Sequence, residues 1–308
     1  MGRWLRLVIA LRLALVLGLL WAPWVLSAPV SLWRVQQGPS TLFLLGSIHV
    51  GQPNLYPLPA VMDQAFIAAD QLVLEIDLGL TSPTAMAEAL LSRGTYPATE
   101  NLSANLSVDT LRLLTAYLQA RRAQPQQTDL SLPTVQRLRP WYLAMLLNLE
   151  ALKALGYVPG LGIDQYYFQK ASLAGKPVYG LETLESQIAL LAAGSPSQQD
   201  LILRSTLETN QKIAQLLATL TGAWKAGEID LMYKLAIADH ADYPALEDLM
   251  DEYLDQRNLQ MAAKLRTYLD GDKTTLAVVG ALHLGGEQGL LALLAKDYEI
   301  TQLQSSDL

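Results

Sequence analysis

One nine-residue pattern occurs twice, near the two ends of the chain. Phe43-Leu44-Leu45-Gly46-Ser47-Ile48-His49-Val50-Gly51 is matched by Ala277-Val278-Val279-Gly280-Ala281-Leu282-His283-Leu284-Gly285. Each copy is an apolar run followed by Gly-x-x-His, an apolar residue and a second glycine. A short apolar run bounded by glycine reads as a buried strand. Two such strands so far apart require the chain to leave a sheet and return to it. The 308 residues include three histidines, and two of them occupy this frame. Histidine is the usual side chain for proton transfer near neutral pH and for binding transition metals. The expectation is therefore one site assembled from both ends of the chain.

The segments between the copies support a sheet with crossovers. Residues 31–35 and 41–45 read as paired strands around the turn Gln37-Gly38-Pro39. A helix at 60–69 and a buried strand at 72–76 follow, a strand–helix–strand unit that favours parallel pairing. Helical spacing of apolar residues recurs at 81–92, 108–122, 141–155 and 163–174. A short strand at 178–181 leads to helices at 198–220, 223–236 and 248–269. The sheet resumes at 275–279, and a helix at 287–294 and a strand at 298–303 close the chain. The fold expected is α/β, a mostly parallel sheet flanked by helices. Residues 29–308 form one domain in this reading, with a large helical insertion at about 81–174 and 198–270. Length alone would suggest about two domains.

Composition narrows the function. The chain is 51% hydrophobic and can bury a large core. It has no cysteine, which removes disulfides, thiol nucleophiles, zinc–thiolate sites and a lipidated cysteine together. Residues 1–28 read as a signal peptide or N-terminal membrane anchor. Arg3 and Arg6 precede an apolar stretch broken only by Arg12, and Leu26-Ser27-Ala28 resembles a processing site. The uncleaved alternative has nearly the length needed to span a bilayer. Either way, the rest is expected outside the cytoplasm, periplasmic or secreted, with membrane attachment if the segment is retained. Loss of residues 1–28 removes three arginines and no acid, taking the net charge from −7 to −10. So acidic a body argues against a nucleic-acid partner.

Four residues are candidates for chemistry. His49 and His283 each lie just beyond a predicted strand, the edge where open α/β sheets place their sites. Glu75 sits inside an apolar strand, where a carboxylate is costly unless paired or bound to a cation. Glu182 follows the strand 178–181. Each residue has an ordinary structural reading. The histidines could be loop residues bonded to backbone, Glu75 a strand-end salt bridge, and Glu182 a charge at the start of a helix capped by Thr183. Their common placement on one rim favours function. His49, Glu75, Glu182 and His283 make a nitrogen–oxygen ligand set that suits Zn²⁺, Mn²⁺, Co²⁺ or Fe²⁺ without selecting among them. No His-Glu-x-x-His sequence is present. A metal-free alternative is a histidine acting as general base with a glutamate orienting it. His240, flanked by Asp239 and Asp242, reads as a solvated loop residue because it lacks the strand–glycine frame. Trp141, Tyr142, Tyr166 and Tyr167 read as core packing, with lining of a substrate cleft as the minor reading.

These residues resemble the TraB/GumN/Tiki family, itself similar to the erythromycin-esterase-like and ChaN-like proteins. The marks are Leu45-Gly46-Ser47-Ile48-His49, Leu74-Glu75-Ile76-Asp77, Gly162-Ile163-Asp164, the segment Gly175-Lys176-Pro177-Val178-Tyr179-Gly180-Leu181-Glu182-Thr183 with Gln187 after it, Arg257-Asn258-Leu259-Gln260-Met261, and Val279-Gly280-Ala281-Leu282-His283. The resemblance covers most of the chain beyond residue 28. It implies an α/β fold with paired Gly-x-x-His motifs and two glutamates at one site. It further implies a metal-dependent peptidase activity, with Mn²⁺ or Co²⁺ favoured and Zn²⁺ as the alternative. The family pattern has a glutamate before Arg-Asn, where this chain has Gln256. Arg257 and Asn258 fall on a predicted helix and could polarise a carbonyl or stabilise an oxyanion, or else form a salt bridge and a helix-surface amide. The expected function is an exported metal-dependent hydrolase acting on a peptide or small molecule. The alternatives are a haem-, iron- or signal-molecule-binding protein without turnover, and a metal-independent esterase.

Overall fold

The computed structural model describes residues 27–122, 130–210, 212–238 and 242–308. The expected export segment therefore lies outside the described residues except for Ser27 and Ala28, and so does His240. Among the described residues, no helix is long and apolar enough to cross a membrane.

β1 (Pro29–Gln37) and β2 (Ser40–Ser47) form an antiparallel hairpin. Gly38 turns it at φ 54°, a left-handed conformation that glycine adopts without a Cβ clash. β3 (Gln71–Ile76), β4 (Val178–Glu182), β5 (Thr274–Gly280) and β6 (Glu299–Gln304) complete a six-stranded sheet in the order β4-β3-β5-β2-β1-β6. β4, β3, β5 and β2 run parallel to one another, and β1 runs against both of its neighbours. The mixed α/β fold with a mostly parallel sheet is thus the one the sequence implied. β2, β3 and β5 are apolar along nearly their whole length because helices cover both faces, so no alternating pattern marks an exposed side.

The helices, in chain order, are α1 (Ala60–Ala68), α2 (Pro83–Gly94), α3 (Val108–Arg122), α4 (Leu132–Val135), α5 (Pro140–Ala154), α6 (Ile163–Ala174), α7 (Leu184–Leu191), α8 (Pro196–Thr209), α9 (Ile213–Lys225), α10 (Ile229–Ala238), α11 (Glu247–Asp251), α12 (Arg257–Leu269) and α13 (Leu290–Leu294). Their buried residues separate into two groups. Val61, Met62, Tyr167, Trp224, Met261 and Leu265 pack with the sheet in the main core. Leu114, Leu118, Leu143, Leu147, Leu203 and Leu207 form a second core among α3, α5 and α8. α1 crosses from β2 to β3 and makes the expected strand–helix–strand unit.

Four helices differ from their sequence expectations, the one expected at 248–269 being α11 and α12 joined by a π-helical turn, Glu252–Gln256. The single helix expected at 198–220 is two, because α8 stops at Thr209-Asn210 and α9 begins at Ile213. Thr and Asn are weak helix formers, and a pair of them suffices at a junction where packing changes partner. The helix expected from 223 begins instead at Ile229, after Gly227 at φ 68° ends α9. Glycine past the last helical turn is a common terminator. The helix expected at 287–294 is only α13, starting at Leu290.

Candidate functional site

The repeated frames lie side by side. β2 and β5 are neighbours in parallel register, with Gly46 opposite Val279 and Ser47 opposite Gly280. Leu74 of β3 lies opposite Val278, which sets Glu75 level with the end of β5. Glu182 of β4 pairs with Ile76. Four adjacent parallel strands therefore end at one edge, and each delivers one of the four candidate residues there. His283 sits in a 3₁₀ turn, Ala281–His283, directly after β5.

The first glycine of each frame lies where neighbouring side chains approach closely. Gly280 has φ −52°, open to any residue. A Cβ there would lie 2.9 Å from Glu75 Oε1 and 3.0 Å from His49 Nε2. A Cβ on Gly46 would lie 3.1 Å from Leu284 Cδ1 and 3.3 Å from Ala281 Cβ. Close approach, and not a sharp turn, is what these glycines permit.

Glu75 is the hub. The Gly280 amide donates to its Oε1 at 2.6 Å. His49 Nε2 lies 3.6 Å from that oxygen and His283 Nε2 lies 4.0 Å from it. Its other oxygen accepts from Arg257 Nη2 at 2.7 Å and from Gln187 Nε2 at 3.0 Å. Arg257 also clamps Glu182, with Nε 2.9 Å from Oε1 and Nη2 2.6 Å from Oε2, and Gln187 donates to Glu182 at 3.0 Å. Arg257 Nη1 donates to the Tyr253 carbonyl. A π-helical turn, Glu252–Gln256, joins α11 to α12 and sets the phase at which Arg257 enters the site. Such turns recur at functional sites because they shift the side chains that follow.

The two histidines are held in opposite states. His283 is buried, and its Nδ1 lies 2.7 Å from Asn258 Oδ1. Asn258 Nδ2 donates to the Gln288 carbonyl, so Oδ1 is the acceptor and His283 Nδ1 carries the proton. Its Nε2 lone pair faces Glu75. Burial pushes the His283 pKa down to about 4, outweighing the pull of Glu75, so the ring is neutral near pH 7. His49 lies between two carboxylates, with Nδ1 3.3 Å from Asp164 Oδ1 and Nε2 facing Glu75. Desolvation works against its charge, yet hydrogen bonding and attraction to Asp164 and Glu75 raise its pKa well above the ordinary value. The side chain is 55% accessible, so water reaches it and screens part of that pull without reversing it. Burial opposes ionisation of Glu75, but His49 and Arg257 hold its pKa well below the ordinary carboxylate value. Asp164 is likewise held low, against burial, by His49 and by Ser47, whose hydroxyl donates at 3.0 Å.

All six candidate residues thus come together, but they do not share one point. Glu182 is turned to Arg257 and Gln187. Arg257 spends its donors on the carboxylates and on Tyr253, and Asn258 orients His283. Among the described residues, no three or more His, Asp or Glu side chains are grouped to hold a metal ion. The donors nearest to such a group are His49 Nε2, His283 Nε2 and Glu75 Oε1. Trp141 and Tyr167 are buried core residues, as expected. Asp164, Ser47, Gln187 and Tyr253 are site residues whose roles were not read from the sequence. The signals present were Asp164 at the start of a predicted helix and Gln187 five residues after Glu182.

A cavity of about 480 Å³ opens beside these residues, walled by Ile48, Leu190, Leu217, Leu220, Met232 and Leu254 among others. That volume lies in the range of small-molecule sites.

A family model described as the TraB/PrgY/gumN family matches residues 31–302. "Uncharacterized protein YbaP" of Escherichia coli (strain K12) is 32% identical over 256 residues, which is 82% of this chain and 86% of that protein. A protein of the same name from Shigella flexneri matches with the same identity and coverage. No solved structure matches the chain.

Proposed function

The chain belongs to the TraB/PrgY/gumN family, and on that premise and the geometry of its site we propose that it is an exported hydrolase, a peptidase dependent on a divalent metal ion. The observation that carries this reading is the convergence of His49 Nε2 and His283 Nε2 on one carboxylate oxygen, 3.6 and 4.0 Å away, at the mouth of an apolar cavity. The donor chemistry would fit a metal through His283, Glu75 and, once it gives up its Nε2 proton, His49, and not through the four-residue set, because Arg257 already neutralises Glu182. A divalent ion held there would supply Lewis acidity, lowering the pKa of bound water and polarising a carbonyl.

The protein's own residues do the rest. Asn258 fixes His283 in the tautomer that presents its Nε2 lone pair, as outer partners of ligating or basic histidines do. Asp164 holds the Nδ1 proton of His49. Arg257 and Gln187 hold the two glutamates in place, and Arg257 helps to keep Glu75 ionised. The cavity wall limits water around the reacting carbonyl.

The test is hydrolysis of a peptide library by the purified protein after chelation, with Mn²⁺, Co²⁺ or Zn²⁺ added back. Activity restored by metal and lost in both His49→Ala and His283→Ala is expected. Activity that survives chelation would refute metal dependence. It would favour the second reading, for which the neutral, oriented His283 is the specific observation: a metal-free esterase with that histidine as general base.

A further inference from the structure

A second cavity, of about 230 Å³, lies against the first. The residues common to both linings are His49, Glu75 and Gln187, so these three side chains form the partition. The larger chamber is otherwise walled mainly by apolar residues of α7, α9, α10 and the π-helical turn. The smaller is walled by Leu74, Ile76, Leu78, Met86 and Val278, with Asp164 as its additional charge. Arg257, the additional charged residue of the larger chamber, is committed to Glu75 and Glu182. Asp164 is committed to His49 and Ser47. Neither chamber offers a free charge to a charged group, and a charged limb set against these apolar walls would give up hydration without gaining a partner.

We propose that the substrate is a neutral two-limbed amide or ester, with a large apolar limb in the 480 Å³ chamber, a smaller apolar limb in the 230 Å³ chamber, and the scissile bond between them at the His49–Glu75–Gln187 partition. This rests on the hydrolase reading and deepens it. A bond at the partition has a chamber on each side, so cleavage is internal and not confined to a terminal group. The step consumes one water. Its oxygen bonds to the carbonyl carbon, and the bond from that carbon to the leaving nitrogen or oxygen breaks. The electron pair goes to the leaving atom, which takes up a proton. The products are a carboxylic acid and an amine or alcohol, one from each chamber.

The test separates binding from turnover. Neutral N-alkyl alkanamides, with either limb lengthened from two to six carbons, are titrated calorimetrically into the wild-type protein and four variants. The variants are Leu217→Trp and Met86→Trp, which fill the large and small chambers, and Leu217→Ala and Met86→Ala, which enlarge them. Both positions are partly exposed, and circular dichroism checks each fold. Lengthening the limb in the large chamber is expected to tighten Kd by about tenfold or more, given the favourable burial of each methylene. Leu217→Trp is expected to erase that gain for one limb only, and Met86→Trp to reduce affinity for the other limb only. Each alanine variant is expected to extend the length accepted on its own side. The proposal is overturned if the substitutions act on the same limb, if none changes the length preference, or if a carboxylate-bearing limb binds as tightly as a neutral one. Chromogenic amides and esters of the same series read turnover separately. Limb-specific binding without turnover would remove the hydrolase reading and leave the two-chamber assignment standing. Turnover indifferent to both limbs would do the reverse.

Discussion

Arg257→Met is the most informative single change, because Arg257 is the cation shared by two nearly buried glutamates. Its guanidinium side chain is 16% accessible, and those of Glu75 and Glu182 are 10% and 6%. Methionine keeps much of the apolar stem and removes the charge. Glu182 then loses all its charged partners among the contacts at the site and keeps Gln187, while Glu75 keeps His49, Gln187 and the Gly280 amide. Breaking a buried pair by removing one partner costs about 3–5 kcal/mol, because the other charge stays buried. The sign of the pH effect follows from Glu75, whose pKa is held below its ordinary value. Its contribution is present above the ordinary carboxylate pKa and is lost as pH falls through the folded value. Without Arg257 the buried Glu75 carboxylate protonates more readily, so the gap between variant and wild type should narrow from pH 7.5 toward pH 3, below the ordinary carboxylate value. Urea unfolding followed by circular dichroism at both pH values measures this as a shift in midpoint at constant slope. Adding Glu182→Gln to Arg257→Met should recover about 1–3 kcal/mol, the coupling typical of contacting charged residues. A destabilisation under about 1 kcal/mol, independent of pH and additive with Glu182→Gln, would refute the clamp, since surface pairs behave that way.

Further outcomes follow from the same geometry. His283, with a folded pKa of about 4, binds its proton more weakly in the folded than in the unfolded state. Stability should therefore fall as pH drops from about 6.5 to about 4, by up to about 3 kcal/mol. A pH series of unfolding midpoints should show that slope reduced in His283→Gln. Asn258→Leu should leave the His283 tautomer unfixed and lower kcat/KM by about tenfold or more. Nitrogen NMR of the ring should then report mixed Nδ1 and Nε2 protonation in place of a single form. Gly280→Ala should displace Glu75 and His49, whose tips lie 2.9 and 3.0 Å from the new Cβ. A crystal structure of that variant showing both side chains unmoved would contradict the close-approach reading.

Much of the sheet was readable in the sequence because its central strands are buried on both faces. β2, β3 and β5 appear as short apolar runs, and their burial is what makes them conspicuous. The paired frames also announced that both ends of the chain return to one edge. The helical interior was less legible. Packing decided where α8 gives way to α9 and where α9 gives way to α10, with Thr209-Asn210 and Gly227 as the local signals.

The sequence by itself determined the α/β class, the identity of the six candidate residues and the delivery of His49, Glu75, Glu182 and His283 to one sheet edge. That information is local: strand periodicity, glycine, and rare histidines in a repeated frame. Tertiary structure alone decided what each residue faces. Arg257 and Glu75 are separated by 182 residues, and His49 and Asp164 by 115, yet those pairings set which carboxylate is neutralised and which histidine is charged. The physical reason is that charge state and ligand geometry depend on distance and burial, which come from parallel strand register and helix phase. No spacing along the chain records them.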